Sequence, residues 1–449
     1  MSKKRLYLAL IILFVVLAGF IVVKYNKGKI TEQLTFYTLL DRKGDLARAP
    51  EWASVRSHAE HLIKTVRINP DDRKASIALA ALFIQEARAT GNYAYYDKAA
   101  LKYVEYVLKN EPNNFQALMF KAIILASQHH FREGLKVAEQ ARNINPYNAF
   151  VYGIIVDSHV ELGNYKAAID NADKMVSIRP DIRSYSRIAY LREIFGDFRG
   201  AMEAMQMAID SGIPGDEGTE WCRVQLGRLY EKTGALDTAN LLYQAALQYR
   251  PSYPYALGGL ARIALASKNY RQAEKLYLEA NAMISDYGFR EELAEVYDQM
   301  NLSQKATNTR KALIEEMLKE SSGNTNSSTH GHYSDGELAK VYIKAKDYNN
   351  ALEHALLEYN RRPGNIEVNE TLAWVYFKKG DISKANRHIT TALKTGNKNP
   401  VLLCHAGLIA AKAGANNKAK ALLEQGLANN TFMDPELKKE SIDALAALH

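Results

Sequence analysis

Two unrelated kinds of residue keep one spacing along this chain, and few folds accept a spacing of that length. Small residues stand at Gly134, Ala168, Ala201, Ala239, Ala273, Ala306, Ala351, Ala385 and Ala419, at intervals of 34, 33, 38, 34, 33, 45, 34 and 34. Pro112, Pro146, Pro180 and Pro214 keep the commonest of these intervals without a break. Four segments align without gaps, Leu226–Tyr230, Leu293–Tyr297, Leu338–Tyr342 and Leu372–Tyr376, and nine residues after each tyrosine comes one of those alanines. A repeat of about 20 to 50 residues marks an array whose units bury their apolar faces against one another. A single compact core is not expected for 449 residues in any case,.

One unit reads as a helical hairpin. In Glu220–Pro251, Leu226, Leu229 and Tyr230 share one face at i, i+3, i+4 spacing, and Gly234 ends that helix,. Ala239, Tyr243 and Ala246 line a second helix that Pro251 stops,. This pattern resembles the tetratricopeptide repeat, most specifically over 115–318 and 336–431, although the usual first-helix tryptophan is replaced by Leu118, Tyr152, Arg223 and Leu257. The resemblance implies an all-α, right-handed α-solenoid of about ten stacked helix–turn–helix units, whose first helices line a concave, partner-binding wall.

The organisation follows from composition. Residues 1–5 are basic, and Leu6–Val23 carries no charge. As a helix this run is about 27 Å long, close to a bilayer core, so one transmembrane anchor is expected at 6–23. A juxtamembrane segment (24–50), an amino-terminal array (51–318), a polar flexible linker (319–335), a carboxy-terminal block (336–431) and a capping helix (432–449) follow. Six basic residues and no acid lie in residues 1–30, leaving 52 basic against 50 acidic in the rest, a net charge of +2. The basic character is thus local to the apolar segment, and nucleic acid is not an expected partner. The charges flanking the span favour a cytoplasmic amino terminus with the array translocated, and the resemblance implies a bacterial inner-membrane protein with its array in the periplasm.

No phosphate-cradling loop, nucleophile elbow, zinc helix or Cys-x-x-Cys is present, so neither an enzyme nor a cofactor is expected,. Cys222 and Cys404 read as small residues of first helices and not as a bridge, His58 and His61 as an exposed pair, and His330 and His332 as solvated loop residues. Glu291–Glu292 and Glu315–Glu316 read as solvated helix faces.

The groove is expected at places equivalent between units: Phe150; Arg183, Arg187 and Tyr190; Trp221, Gln225 and Arg228; Tyr255, Gly258 and Arg262. Phe150, Trp221 and Tyr255 would form a ladder of rings, and Gly258–Gly259 would admit either a ligand's approach or tight helix packing. Arginines among aromatics suit a protein or peptide partner with an acidic, partly apolar segment. A carbohydrate polymer stacking on the rings is the alternative. The resemblance, with the expected anchor, implies a membrane-anchored scaffold or adaptor that aids the assembly of an envelope complex.

Overall fold

The loops ahead of the first helices end in short polar side chains that start those helices. Asn114, Asn148, Asp181, Asn365 and Asn399 each accept a hydrogen bond from a backbone N–H of the turn that follows,. The computed structural model describes residues 17–19, 37–321, 332–428 and 433–448. Helix α1 spans Trp52–Ile68, and twenty helices then form ten hairpins. They are α2 (Arg73–Thr90) with α3 (Tyr93–Asn110), α4 (Phe115–Ser127) with α5 (Phe131–Ile144), α6 (Ala149–Glu161) with α7 (Tyr165–Ile178), α8 (Ile182–Ile194) with α9 (Phe198–Asp210), and α10 (Glu217–Lys232) with α11 (Leu236–Tyr249). The series continues with α12 (Pro254–Ala266) and α13 (Tyr270–Met283), α14 (Tyr287–Gln299) and α15 (Ser303–Ser321), α16 (Asp335–Lys344) and α17 (Tyr348–Arg361), α18 (Ile366–Lys378) and α19 (Ile382–Ala392), and α20 (Pro400–Lys412) and α21 (Asn416–Ala428). Helix α22 (Pro435–Ala446) closes the array, and no strand occurs among the described residues.

The repeating alanines sit where two helices of a hairpin meet. Ala168, Ala201, Ala239, Ala273, Ala306, Ala351, Ala385 and Ala419 have no exposed surface. A Cβ on Gly134 would stand 3.3 Å from the Ala122 carbonyl of the facing helix, which shows how near the backbones come. Between units the packing is as tight. The Tyr243 ring is wedged so close to Gly227 and Gly259 that a Cβ on either would lie 2.5–2.6 Å from it.

The array winds tightly enough for its turns to touch. Each hairpin turn holds one residue at positive φ: glycine in six hairpins, and His129, Lys268, Asn301 or Lys346 in the other four. Four of these turns dock onto four inter-hairpin loops further along the chain. The Ser285 N–H donates to the Thr90 carbonyl at 3.2 Å, and the Tyr333 N–H donates to the Gln128 carbonyl at 3.2 Å. The Ile366 N–H donates to the Tyr165 hydroxyl at 3.0 Å, across 201 residues. The Gly396 carbonyl lies 2.5 Å from where a Cβ on Gly196 would be. Arg362 pairs with Glu161 across the same seam, and the Asn365 side chain donates to the Glu161 carbonyl at 3.0 Å. An offset of this length is six repeats, so one superhelical turn takes about six hairpins and the next lies directly against it.

The segment before α1 also bridges the superhelix. Arg42 is buried against Glu86 of α2, at 2.6 and 3.0 Å, and also reaches Glu51. Glu51 in turn accepts from Arg250 at 2.7 Å, and Asp45 from the Ser252 hydroxyl at 2.5 Å. Leu46 is buried against α12 and α13. At the other end, Leu437 of α22 packs with Trp374, Leu408 and Leu423, Leu445 and Leu448 pack partly against them, and Ile442 stays 48% exposed.

Among the described residues no helix is long and apolar enough to cross a membrane. The expected anchor at 6–23 lies, apart from 17–19, outside the described residues, as do residues 322–331 of the expected linker and His330 within it. Residues 319–321 belong to α15, and 332–334 rest on the α4–α5 turn.

Two expectations need correction. Glu291 and Glu292 are not a solvated face: Glu291 pairs with Arg310 at 3.1 Å and Glu292 with Arg262 at 3.6 Å, which ties neighbouring helices together. Glu316 pairs with Arg290, leaving Glu315 and its exposed partner Lys311 on the outside.

Candidate functional site

Because the superhelix closes within about six hairpins, its first helices surround space instead of lining an open trough. A cavity of about 1910 Å³ lies inside. Its wall comes from α8, α10, the α11–α12 loop, the 42–51 segment and the end of α2, with Glu367, Asn397 and Asn399 reaching in from the next superhelical turn. On α8, Arg183, Arg187 and Tyr190 share one face, and on α10 Trp221, Gln225, Arg228 and Lys232 do so at the same helical spacing,.

Seven of the ten residues expected in the groove line this cavity: Arg183, Arg187, Tyr190, Trp221, Gln225, Arg228 and Tyr255. The other three do not, for steric and electrostatic reasons. Phe150 is half-buried in the core between units and covered by the Arg183 guanidinium at 4.7 Å. Gly258 is buried against the Phe289 ring, which a Cβ would overlap, so its small size serves helix packing. Arg262 has an 11% exposed side chain held between Glu231 at 3.1 Å and Glu292 at 3.6 Å. Its charge is spent inside the wall, joining α10, α12 and α14.

The cavity has little net field. Eight basic and eight acidic residues line it, and most are already paired. Arg187 grips Asp157 at 2.6 and 2.8 Å, Arg88 meets Glu217 at 3.1 Å, and Lys232 pairs with Glu193. Among the described residues lining the cavity, Arg183 and Arg228 on the basic side and Asp216 and Glu367 on the acidic side have no ion-pair partner, and all four are exposed. The apolar part is aromatic. Arg88 of α2 lies 5.7 Å over the Trp221 ring, and Tyr255 meets Tyr253 edge-on at 5.5 Å. Tyr190 is 40% exposed yet surrounded by protein, and that burial pushes its phenol well above the usual range. Burial likewise raises Tyr93 to about 12 and the Cys222 thiol to about 12, so none of these groups ionises near neutrality. They offer rings and hydrogen-bond donors, not nucleophiles.

Reading the sequence misses the part of the wall that comes from far along the chain. Arg42, Arg88 and Tyr93 meet α10 and the α11–α12 loop only because the superhelix closes, and no repeat position signals it. Arg88 stands off the repeat's core pattern, which reveals a free face but not what that face meets. Cys222 and Cys404 are both free and buried, and His58 and His61 are exposed.

The tetratricopeptide repeat family model matches residues 230–286. Cellulose synthase operon protein C of Pseudomonas fluorescens (strain SBW25) is 23% identical over 239 residues, 53% of this chain and 16% of that protein. The chain therefore spans about a sixth of that relative's length. The human IFIT1 dimer with m7Gppp-AAAA superposes with a TM-score of 0.48 at 16% identity, covering 77% of this chain and 80% of that one. A tetratricopeptide repeat protein from Parabacteroides merdae does so with a TM-score of 0.35 at 15% identity, covering 59% of this chain and 98% of that one. Those two likenesses concern the fold alone. The regular repeat and the ten hairpins carry the helix–turn–helix architecture of the matched tetratricopeptide-repeat segment along the chain.

Proposed function

We propose that this chain is a non-catalytic scaffold that holds a protein partner by an extended segment laid in the enclosed cavity. The observation that carries the reading is the pairing pattern of the wall. Twelve of the sixteen charges facing the cavity are matched; Arg183 and Arg228 lack an ion-pair partner among the described residues, as do Asp216 and Glu367, and the Tyr190, Trp221 and Tyr255 rings share that wall. Such a surface favours an apolar segment carrying one or two carboxylates, with rings supplying burial and the free guanidinia supplying charge-assisted hydrogen bonds. A strongly acidic segment gains less, because the remaining arginines are already occupied. Pull-down with the double variant Arg183→Glu/Arg228→Glu tests this. Partner recovery is expected to fall at least tenfold with unchanged helical circular dichroism, whereas Arg199→Glu, on the outer helix α9, leaves recovery intact. Undiminished recovery with the double variant overturns the reading.

We further propose that residues 6–23 tether the array to a bacterial inner membrane, where it aids assembly of an envelope complex from the periplasmic side. The support is the uncharged run itself, with basic residues on both sides,. A tether raises the local concentration of membrane-borne partners without any new contact. Recovery of the full chain in the soluble fraction without detergent contradicts the tether. Digestion of the array by protease in spheroplasts supports the periplasmic orientation, and protection there reverses it.

A further inference from the structure

The seam between superhelical turns contains one group of metal-capable side chains. Among the described residues, one ligand atom each from His129, His332 and Glu337 lie within 4.8 Å of one another, and no other such group occurs there. His129 belongs to the α4–α5 turn, His332 to the stretch before α16, and Glu337 to the first turn of α16. The backbone orients both rings. His129 Nδ1 lies 2.8 Å from the Tyr333 carbonyl, which can only accept, so Nδ1 carries the proton and Nε2 keeps its lone pair,. His332 donates a ring N–H to the Ser127 carbonyl, which leaves its other nitrogen free in the same way. Backbone carbonyls holding one imidazole nitrogen while the other faces a metal are the usual outer shell of a histidine site. Glu337 Oε2 is shielded from solvent and has no hydrogen-bond partner. Its 4.0 Å approach to His129 is to Nδ1, the nitrogen turned to Tyr333, so ligation through Nε2 requires the Glu337 side chain to move toward that nitrogen. The rings of His129 and His332 are 4.4 Å apart and tilted against each other. His129 also has φ of 63°, a left-handed conformation that glycine fills in six of the ten hairpin turns.

We propose that His129, His332 and Glu337 form a divalent-cation site that clasps α16 onto the α4–α5 turn. Two neutral imidazoles and one carboxylate suit Zn²⁺ in a tetrahedral site with water as the fourth ligand. Ligand atoms around Zn²⁺ are about 3.3 Å apart, so the group draws in by up to about 1.5 Å on binding. The site joins chain segments that are consecutive in space and six repeats apart in sequence, and its role is to fasten one superhelical turn to the next. It touches neither the cavity wall nor the residues proposed to hold a partner.

The test uses the full chain in detergent, carrying an affinity tag without histidine and stripped of metal by chelator. Titration with Zn²⁺ alone is expected to show one tight equivalent and a raised thermal midpoint, and Co²⁺ in its place a four-coordinate visible spectrum. Glu337→Gln keeps the side-chain shape, and His332→Ala removes a ring near the surface. Each is expected to weaken Zn²⁺ binding by at least about tenfold with the helical circular dichroism unchanged. His58→Ala/His61→Ala is expected to leave it unaltered. No tight equivalent in the parent chain, or undiminished affinity in both Glu337→Gln and His332→Ala, overturns the proposal and leaves the cluster as packing at the seam.

Discussion

Gly163 and Gly364 lie back to back across the seam of the superhelix, so close that a Cβ on Gly163 would overlap the Gly364 carbonyl. Lys394 bridges the same two residues, donating to the Gly364 carbonyl at 2.6 Å and to the Gly163 carbonyl at 3.4 Å. Gly163 also has φ of 76°, where an L side chain is strained. Gly163→Ala is therefore expected to destabilise the chain by about 1–3 kcal/mol through backbone strain, besides prising the turns apart. Small-angle scattering is expected to show a longer particle. Gly380→Ala, at φ of 81° with nothing within 4 Å of its Cβ, carries the strain without the contact and controls for it.

Arg42 and Glu86 form an ion pair with side chains only 2% and 0% exposed. Arg42→Ala leaves a buried, unpaired carboxylate and is expected to cost about 3–5 kcal/mol in thermal or denaturant unfolding. Replacing both, as Arg42→Met/Glu86→Leu, is expected to recover most of that loss, because the uncompensated charge disappears. Equal losses in the two variants contradict this account of how the 42–51 segment is held.

Asp97 supplies a pH signature of its own. It is 3% exposed, and burial raises its carboxyl to about 7, with the Ser127 hydroxyl, which donates to it at 2.5 Å, pulling the other way. A carboxyl raised on folding binds its proton more tightly in the native state, so its contribution to stability falls as pH rises from about 4 through about 7. Asp97→Asn retains an acceptor for Ser127 and cannot ionise. The variant is expected to melt higher than the parent at pH 8, with the difference vanishing towards pH 4. A difference independent of pH contradicts the assignment.

Gly258 separates packing from ligand access. Gly258→Ala forces a methyl group into the Phe289 ring, and overpacking of this kind is expected to cost about 1–3 kcal/mol. Combining it with Phe289→Leu is expected to return part of that stability. Partner recovery at temperatures where Gly258→Ala remains folded is expected to be unchanged, since Gly258 does not face the cavity.

The repeat was legible because its cause is local. Alanines at the repeat interval and polar caps after the inter-hairpin prolines act within one unit, and each copy repeats them. The cavity-facing places Arg183, Tyr190, Trp221 and Arg228 follow from helical spacing once the core positions are known. Arg262 sits at the place equivalent to Arg228 and still has a different fate. Glu231 and Glu292, from the neighbouring hairpins, close over it, and sequence spacing does not say where those carboxylates point. The closure itself depends on small rotations between units that accumulate over six hairpins. Contacts such as Tyr165 with Ile366 therefore leave no periodic trace in the sequence.

Closure of the superhelix after about six hairpins is what encloses the cavity, and chemical cross-linking reads it directly. Phe195 is 41% exposed beside Gly196, and the Lys398 Cγ lies 3.1 Å from where a Cβ on Gly196 would be. The native thiols Cys222 and Cys404 are buried, with ionisation suppressed, and stay silent. In the Phe195→Cys/Lys398→Cys chain, a short bismaleimide is expected to join the two positions within one molecule at a yield that dilution does not reduce. Cross-links formed only between molecules, vanishing on dilution, contradict the closed superhelix.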